Sequence, residues 1–248
     1  MKLNCDIGES FGNWQMGDDK EIMPFIDMAN IACGFHASDP NVMANTIKLA
    51  KQHQVKIGAH PGYPDLQGFG RRNMSFNKQE IINLVHYQIG ALTALCAAQN
   101  VQVEYVKPHG ALYNAMMSNS EVLEAILLSL SLLADKSGIP LSLMILANNQ
   151  SEKYLSLADK YSIPLIFEAF ADRAYSDDGQ LLPRSQQGAV LESKEEILTN
   201  VENLVKKGKV LSINGETIPI EADTICVHGD NAQALNTVKV IYQLISQK

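Results

Sequence analysis

Apolar positions along the chain fall into two alternating patterns. Short runs of four to seven residues are apolar almost throughout or alternate β-branched with polar side chains. Between them lie longer stretches in which apolar residues recur every three to four positions. The short runs at 2–6, 28–33, 55–59, 103–107, 141–147, 164–168 and 224–227 predict seven strands, as expected for a parallel sheet covered on both faces. The longer stretches predict helices. Asp39-Pro40 opens the first, with Asp39 as N-cap and Pro40 at the first helical position. It runs to about 53 with Val42, Ile47, Leu49 and Ala50 as its apolar face. Further helices are expected at 77–99, 120–136, 151–161, 193–207 and 231–247, the fifth of these six opening on a Ser-x-x-Glu capping box at Ser193 and Glu196. Only 210–220 breaks the rhythm, where Asn214-Gly215 marks a hairpin between two short strands. No repeat, low-complexity tract or shift in composition divides the chain, so 1–248 reads as one α/β domain.

Repeated strand–loop–helix units imply a parallel sheet, either closed into a barrel or open and doubly wound. Both arrangements bind ligands at the carboxyl ends of the strands. The polar clusters fall at those ends: Asp6 and Glu9 after the first strand, His36 after the second, His60 at the third, Lys107 and His109 at the fourth. Glu168 to Arg173 closes the sixth, and His228 and Asp230 close the last. Four of the six histidines therefore occupy one rim, while His53 and His86 lie on helices and read as structural or solvent-facing. A single strand-end histidine is more often structural than catalytic. Four of them beside Asp6, Glu9 and Asp230 are not required by packing, because each ionisable group must be desolvated and paired at a cost. Such a gathering serves proton transfer near neutral pH or holds a divalent cation. No His-Glu-x-x-His or His-x-x-x-His is present, so no local motif signals zinc; a metal assembled from separate strands stays open.

Two long loops add arginines. The segment 61–74 holds Arg71 and Arg72, and the segment 172–188 holds Arg173 and Arg184. An arginine from either loop can grip a substrate carboxylate through two hydrogen bonds, while the structural alternative for 61–74 is a rigid surface loop whose arginines pair with helix carboxylates. Charge narrows the partners. The net charge is −7, and the basic cluster Lys206, Lys207, Lys209 sits at a predicted helix end where it offsets the helix dipole, so nucleic acid is not an expected ligand. The amino terminus has no apolar signal core, and the greasy stretch 122–134 is too short to span a bilayer, so a cytoplasmic, membrane-free protein is expected. Cys5, Cys33, Cys96 and Cys226 form no Cys-x-x-Cys pair and read as small buried apolar groups. P-loop, Rossmann and serine-elbow motifs are all missing.

Six ordered stretches carry a resemblance. They are 3–12 (Leu-Asn-Cys-Asp-Ile-Gly-Glu-Ser-Phe-Gly), 30–37 (Asn-Ile-Ala-Cys-Gly-Phe-His-Ala), 58–72 (Gly-Ala-His-Pro-Gly-Tyr-Pro-Asp-Leu-Gln-Gly-Phe-Gly-Arg-Arg), 106–114 (Val-Lys-Pro-His-Gly-Ala-Leu-Tyr-Asn), 168–175 (Glu-Ala-Phe-Ala-Asp-Arg-Ala-Tyr) and 226–230 (Cys-Val-His-Gly-Asp). Together they resemble the LamB/YcsF family, the A subunits of bacterial 5-oxoprolinase, over essentially the whole chain. Lys2, where an acidic residue is expected, and Ser38, where glycine is usual, depart from the family pattern. The resemblance implies a seven-stranded parallel β/α barrel of the glycoside hydrolase/deacetylase type. It also implies opening of 5-oxo-L-proline to L-glutamate with ATP and Mg2+, in a complex with subunits B and C. On that reading Asp6 or Glu9 serves as base, and His60 and His109 act as acid/base or oxyanion partners. His36, His228 and Asp230 orient water or substrate, Lys107 or Arg72 offsets phosphate or carboxylate charge, and Arg173 is a further substrate contact. Two rival readings are a metal-dependent amide or sugar deacetylase and a substrate-binding subunit without catalysis of its own.

Overall fold

The computed structural model describes residues 1–138, 140–228 and 232–246. Seven short parallel strands close into a barrel: β1 (Lys2–Ile7), β2 (Met28–Ala32), β3 (Lys56–His60), β4 (Val103–Val106), β5 (Ser142–Leu146), β6 (Leu165–Phe170) and β9 (Thr224–Val227). The two remaining strands, β7 (Lys209–Leu211) and β8 (Thr217–Pro219), form the separate hairpin that Asn214-Gly215 announced. The choice between open sheet and closed barrel is thus settled by the β1–β9 pairing, in which Asn4 opposes Cys226. Around the barrel lie α1 (Asp19–Ile22), α2 (Pro40–His53), α3 (Lys78–Ala98), α4 (Gly110–Ser118), α5 (Ser120–Ser137), α6 (Ser151–Asp159), α7 (Lys194–Lys207) and α8 (Ala232–Ser246).

Strand alternation splits the barrel residues between two environments. In β1, Leu3, Cys5 and Ile7 join the apolar layer beneath the helices, while Asn4 and Asp6 face the barrel axis. Inside, the floor is a small apolar plug of Met28, Tyr105 and Met144 with Ile166 against it. Gly58 makes room for it, since a Cβ there would stand 2.2 Å from the Tyr105 ring. Above the plug comes an amide layer: Tyr105 Oη donates to Asn30 Oδ1 (2.7 Å), Asn30 Nδ2 to Asn4 Oδ1 (2.8 Å), and Asn4 Nδ2 to Thr224 Oγ1 (3.1 Å). The charged groups lie above that layer, towards the carboxyl ends. The barrel is a filled core with one polar end.

The helices follow their sequence signals with small shifts. Asp39 caps α2 by accepting from Asn41 N (2.8 Å) and Val42 N (3.0 Å), as the Asp-Pro pair predicted. Its buried face is Met43, Thr46, Ile47 and Ala50, which includes the expected Ile47 and Ala50, while the expected Val42 and Leu49 are half-buried. Asn77 and Glu80 form a full capping box on α3, whereas Ser193 satisfies only the Glu196 N–H on α7. The short helices α1 and α4 were not anticipated. Among the described residues, α3 has the length and apolar composition to cross a membrane; here it packs against α5 and the barrel with residues such as Val85, Leu92 and Cys96 buried.

Candidate active site

Two connected polar clusters occupy the carboxyl end of the barrel. The inner one centres on Lys107, which follows β4 and is only 2% exposed. Its ammonium donates to Asp6 Oδ1 (2.9 Å), Asn4 Oδ1 (3.2 Å) and the Cys226 sulfur (3.2 Å). Those contacts use its three N–H directions, so Glu168, with Oε2 2.9 Å away, is held as an ion pair by charge. Burial alone would lower the Lys107 pKa, but Asp6, Cys226 and Glu168 outweigh it and raise it well above the usual lysine value. Burial would likewise raise Asp6, yet His60 and Lys107 hold its carboxyl well below the usual carboxylate range. For Glu168, burial wins over Lys107 and the pKa rises. Asp6 is therefore the firmly ionised carboxylate of the pair, and Glu168 the one that takes a proton more readily.

The outer cluster joins Glu9, His36, His60 and His109. His60 Nδ1 lies 2.6 Å from the Lys107 carbonyl oxygen, and its Nε2 lies 3.0 Å from His109 Nδ1 and 3.4 Å from Asp6 Oδ2. His109 Nε2 lies 2.9 Å from the Phe69 carbonyl oxygen. Glu9 Oε1 stands 3.5 Å from His36 Nε2 and 3.7 Å from His109 Nδ1. The His36 ring stacks on His109 at 3.8 Å, nearly parallel, and meets His60 edge-on. Burial pushes the His36 and His109 pKa values well below the usual imidazole value, and the neighbouring imidazoles add to that.

The 61–74 loop builds the wall behind these rings. Gln88 of α3 clasps Gly62 from both sides, accepting from its N–H (2.9 Å) and donating to its carbonyl (3.0 Å). This holds Gly62 under His36, where a Cβ would come within 2.6 Å of the ring. Gly70, at φ +63°, presses on both rings: its Cβ would stand 2.6 Å from His36 and 3.0 Å from His109. The loop is thus part of the site. Towards the mouth, His228 Nδ1 and Asp172 Oδ2 pair at 2.8 Å; burial would raise Asp172, but His228 outweighs it and lowers the carboxyl.

The fold brings six of the sequence-derived residues together: Asp6, Glu9, His36, His60, Lys107 and His109. His228 adjoins them directly, with a ring nitrogen within 4.8 Å of an Asp6 oxygen and of the Cys226 sulfur. Two arginines go elsewhere. Arg72 is ion-paired with Asp65 of its own loop, holding that carboxyl down to about 2, and its side chain is 66% exposed. Arg173 is buried and donates to the Ala189 carbonyl (3.2 Å) and the Leu182 carbonyl (2.5 Å), clasping its own loop; burial lowers it to about 10. Both arginines therefore brace their own loops, Arg72 through a loop carboxylate and Arg173 through backbone carbonyls, and among the described residues neither pairs with a helix carboxylate. Asp230 lies outside the described residues. Asn4 and Asn30 were given no role from the sequence, and Glu168 and Asp172 were noted there only as part of the polar cluster that closes the sixth strand. Glu168 had a signal, a carboxylate inside an otherwise apolar strand, and Asn4 stands two residues before Asp6 on the same face. Cys226, read as a buried apolar group, is buried but touches the Lys107 ammonium.

Fold and rim together define a seven-stranded parallel β/α barrel whose carboxyl end gathers carboxylates, imidazoles and one lysine. The chain belongs to the LamB/YcsF family, whose profile matches residues 1–248. It is 57% identical over 243 residues to the A subunit of 5-oxoprolinase from Vibrio campbellii, covering 98% of this chain and 94% of that one. It is 48% identical over 248 residues to the corresponding 5-oxoprolinase A subunit of Pseudomonas fluorescens, covering 100% and 98%. Among solved structures, the lactam utilization protein of Thermus thermophilus superposes with a TM-score of 0.88 at 39% identity, covering 100% of this chain and 96% of that one. A putative cellobiose-phosphate cleavage protein of Enterococcus faecalis, at 15% identity and a TM-score of 0.57, shares the fold alone.

Proposed function

We propose that this chain is the A subunit of an ATP-dependent 5-oxoprolinase, opening 5-oxo-L-proline to L-glutamate in a cytoplasmic complex with subunits B and C. The names of its relatives support this reading. The observation that carries the chemistry is Asp6, which touches the Lys107 ammonium through one oxygen and faces His60 through the other. An unstrained lactam resists attack, so ATP (with Mg2+) serves to phosphorylate the amide oxygen and release ADP. Water then adds to the ring carbon. Expelling phosphate from that adduct would only regenerate the lactam. Productive collapse breaks the bond to the ring nitrogen instead, and a second water releases phosphate from the resulting acyl phosphate.

In this chain, Asp6 or Glu9 takes the proton from the attacking water and returns it to the departing nitrogen. Lys107 offsets the phosphate charge, and its interior partners fix it in place. His60 and His109 line the side where oxyanion charge develops. His36 and His228 line the approach and orient substrate and water, a role the sequence also offers to Asp230. The test is glutamate release from 5-oxoproline with Mg-ATP, first with this chain alone and then with subunits B and C. Glutamate is expected only from the three together. None in either case, with the partners shown active beside the equivalent chain of a relative, would remove this reading and bring forward a metal-dependent deacetylase, which the imidazole–carboxylate cluster also suits.

A further inference from the structure

We propose that Glu9, His36, His60 and His109 bind one divalent transition-metal cation of the zinc, manganese or iron(II) kind. The argument begins with where the imidazole hydrogens must be. His60 Nδ1 faces the Lys107 carbonyl at 2.6 Å and His109 Nε2 faces the Phe69 carbonyl at 2.9 Å, so both nitrogens carry hydrogen. In the neutral rings the lone pairs then sit on His60 Nε2 and His109 Nδ1. Those two atoms face each other at 3.0 Å. Two lone pairs at hydrogen-bond distance repel, and carboxylate oxygens add to the crowd: Asp6 Oδ2 at 3.4 Å from one and Glu9 Oε1 at 3.7 Å from the other. Acceptors converge there without a donor between them, and only a positive charge reconciles them.

His36 points to a metal ion. It is fully buried and neither ring nitrogen makes a hydrogen bond, although its Nε2 is 3.5 Å from the same Glu9 oxygen, itself buried without a hydrogen-bond partner. One ligand atom from each of the four residues lies within 4.8 Å of the others. Bonds of about 2.0–2.1 Å to a tetrahedral ion place neighbouring ligand atoms about 3.3 Å apart. The separations of 3.0, 3.5 and 3.7 Å bracket that spacing. The carbonyls on His60 and His109 supply the outer hydrogen bonds that fix tautomer and orientation in metal-bound imidazoles. As the side chains stand, His36 and His109 are stacked, so ligation requires His36 to turn, and no hydrogen bond of its own restrains it.

Three imidazoles and one carboxylate suit borderline transition metals better than Mg2+ or Ca2+, which favour all-oxygen sites. The other gathering of potential ligands on this rim, Asp6, Cys226 and His228, already has its cation: the Lys107 ammonium touches both Asp6 and Cys226. The site also completes the oxyanion side of the lactam reading, because inward lone pairs cannot stabilise an oxyanion unless they hold a cation. It stands without that reading, since ion binding is measured without turnover.

The experiment is equilibrium dialysis of the chelator-stripped full chain against Co2+, reading metal content, visible ligand-field absorption and melting temperature. One Co2+ per chain is expected, with absorption of a low-coordinate nitrogen–oxygen site and a raised melting temperature. His36→Gln and Glu9→Gln should each weaken binding by more than about tenfold. His53→Gln, an exposed helix histidine, should leave it unchanged. Trace binding by the wild-type chain overturns the proposal and leaves a proton shared by His60 and His109 as the charge. Equal binding by the wild type and the two site variants overturns it as well. The wild-type readings decide even where a variant fails to fold.

Discussion

Asp6 and Lys107 are paired in the interior and also carry the proposed chemistry, and substitutions can separate the two. Asn at position 6 keeps an oxygen for the Lys107 ammonium but loses the negative charge that faces His60. Asp6→Asn should therefore keep the far-ultraviolet spectrum and melting profile of the folded chain while lowering glutamate release in the three-subunit assay by about 10²-fold or more. A folded variant with full activity would remove Asp6 from its assigned role. Lys107→Met fails differently. It strands Asp6 and Glu168 in a buried space without their common cation, and breaking such a pair costs about 3–5 kcal/mol. Urea denaturation should show that loss. Adding Glu168→Gln should restore about 1–3 kcal/mol of it, because the repulsion and half of the unpaired charge go together. No recovery in the double variant would mean that Glu168 is already protonated beside Lys107.

At the scale of elements, the 61–74 loop is where backbone geometry meets the site. Gly70→Ala and Gly12→Ala both place a Cβ at positive φ (+63° and +56°), costing about 1–2 kcal/mol of strain. Only the first pushes that Cβ into His36 and His109; a Cβ on Gly12 meets nothing within 4 Å. Similar melting temperatures with turnover lost in Gly70→Ala alone would assign the loop to holding the imidazoles. Equal turnover in the two would reduce the loop to a cover. The sequence made the elements legible because they rest on local signals: the Asp39-Pro40 cap, the Ser193 cap, the Asn214-Gly215 hairpin and apolar strands bounded by polar ends. It also showed which end of the sheet carries the histidines. The four-residue α1 is too short to show periodicity, and α4 is apolar at most of its positions and so shows little contrast between its faces. The resting partners of Arg72 and Arg173 were illegible for a related reason. Whether a loop arginine turns to the site, to Asp65 or to its own carbonyls depends on the loop's path, which pattern does not encode. Glu168 and Asn30 became partners of Lys107 and Tyr105 only through strands brought together by closure.

Closure is a property of the whole molecule, and one seam decides it. β1 pairs with β9, so the first and last strands of the barrel meet across more than two hundred residues of sequence. Thr224 sits in that seam, fully buried, donating to the Lys2 carbonyl (3.1 Å) and accepting from Asn4 Nδ2 (3.1 Å). Asn4 in turn receives Lys107 and Asn30, so the seam, the amide layer and the charged site form one hydrogen-bonded body. Thr224→Val keeps the shape of the side chain and removes its hydroxyl, leaving the Asn4 amide hydrogen and the Lys2 carbonyl without that partner. Such unmet buried groups cost about 1–3 kcal/mol each. If the barrel folds as a unit, urea unfolding of Thr224→Val should stay a single transition with an unchanged slope and an earlier midpoint. A second transition, or a shallower slope, would mean that the β1–β9 seam opens on its own and that the site can lose its floor while the rest of the barrel stands. Glutamate release should then fall at urea concentrations below the main transition, whereas a unitary barrel should lose activity and structure together.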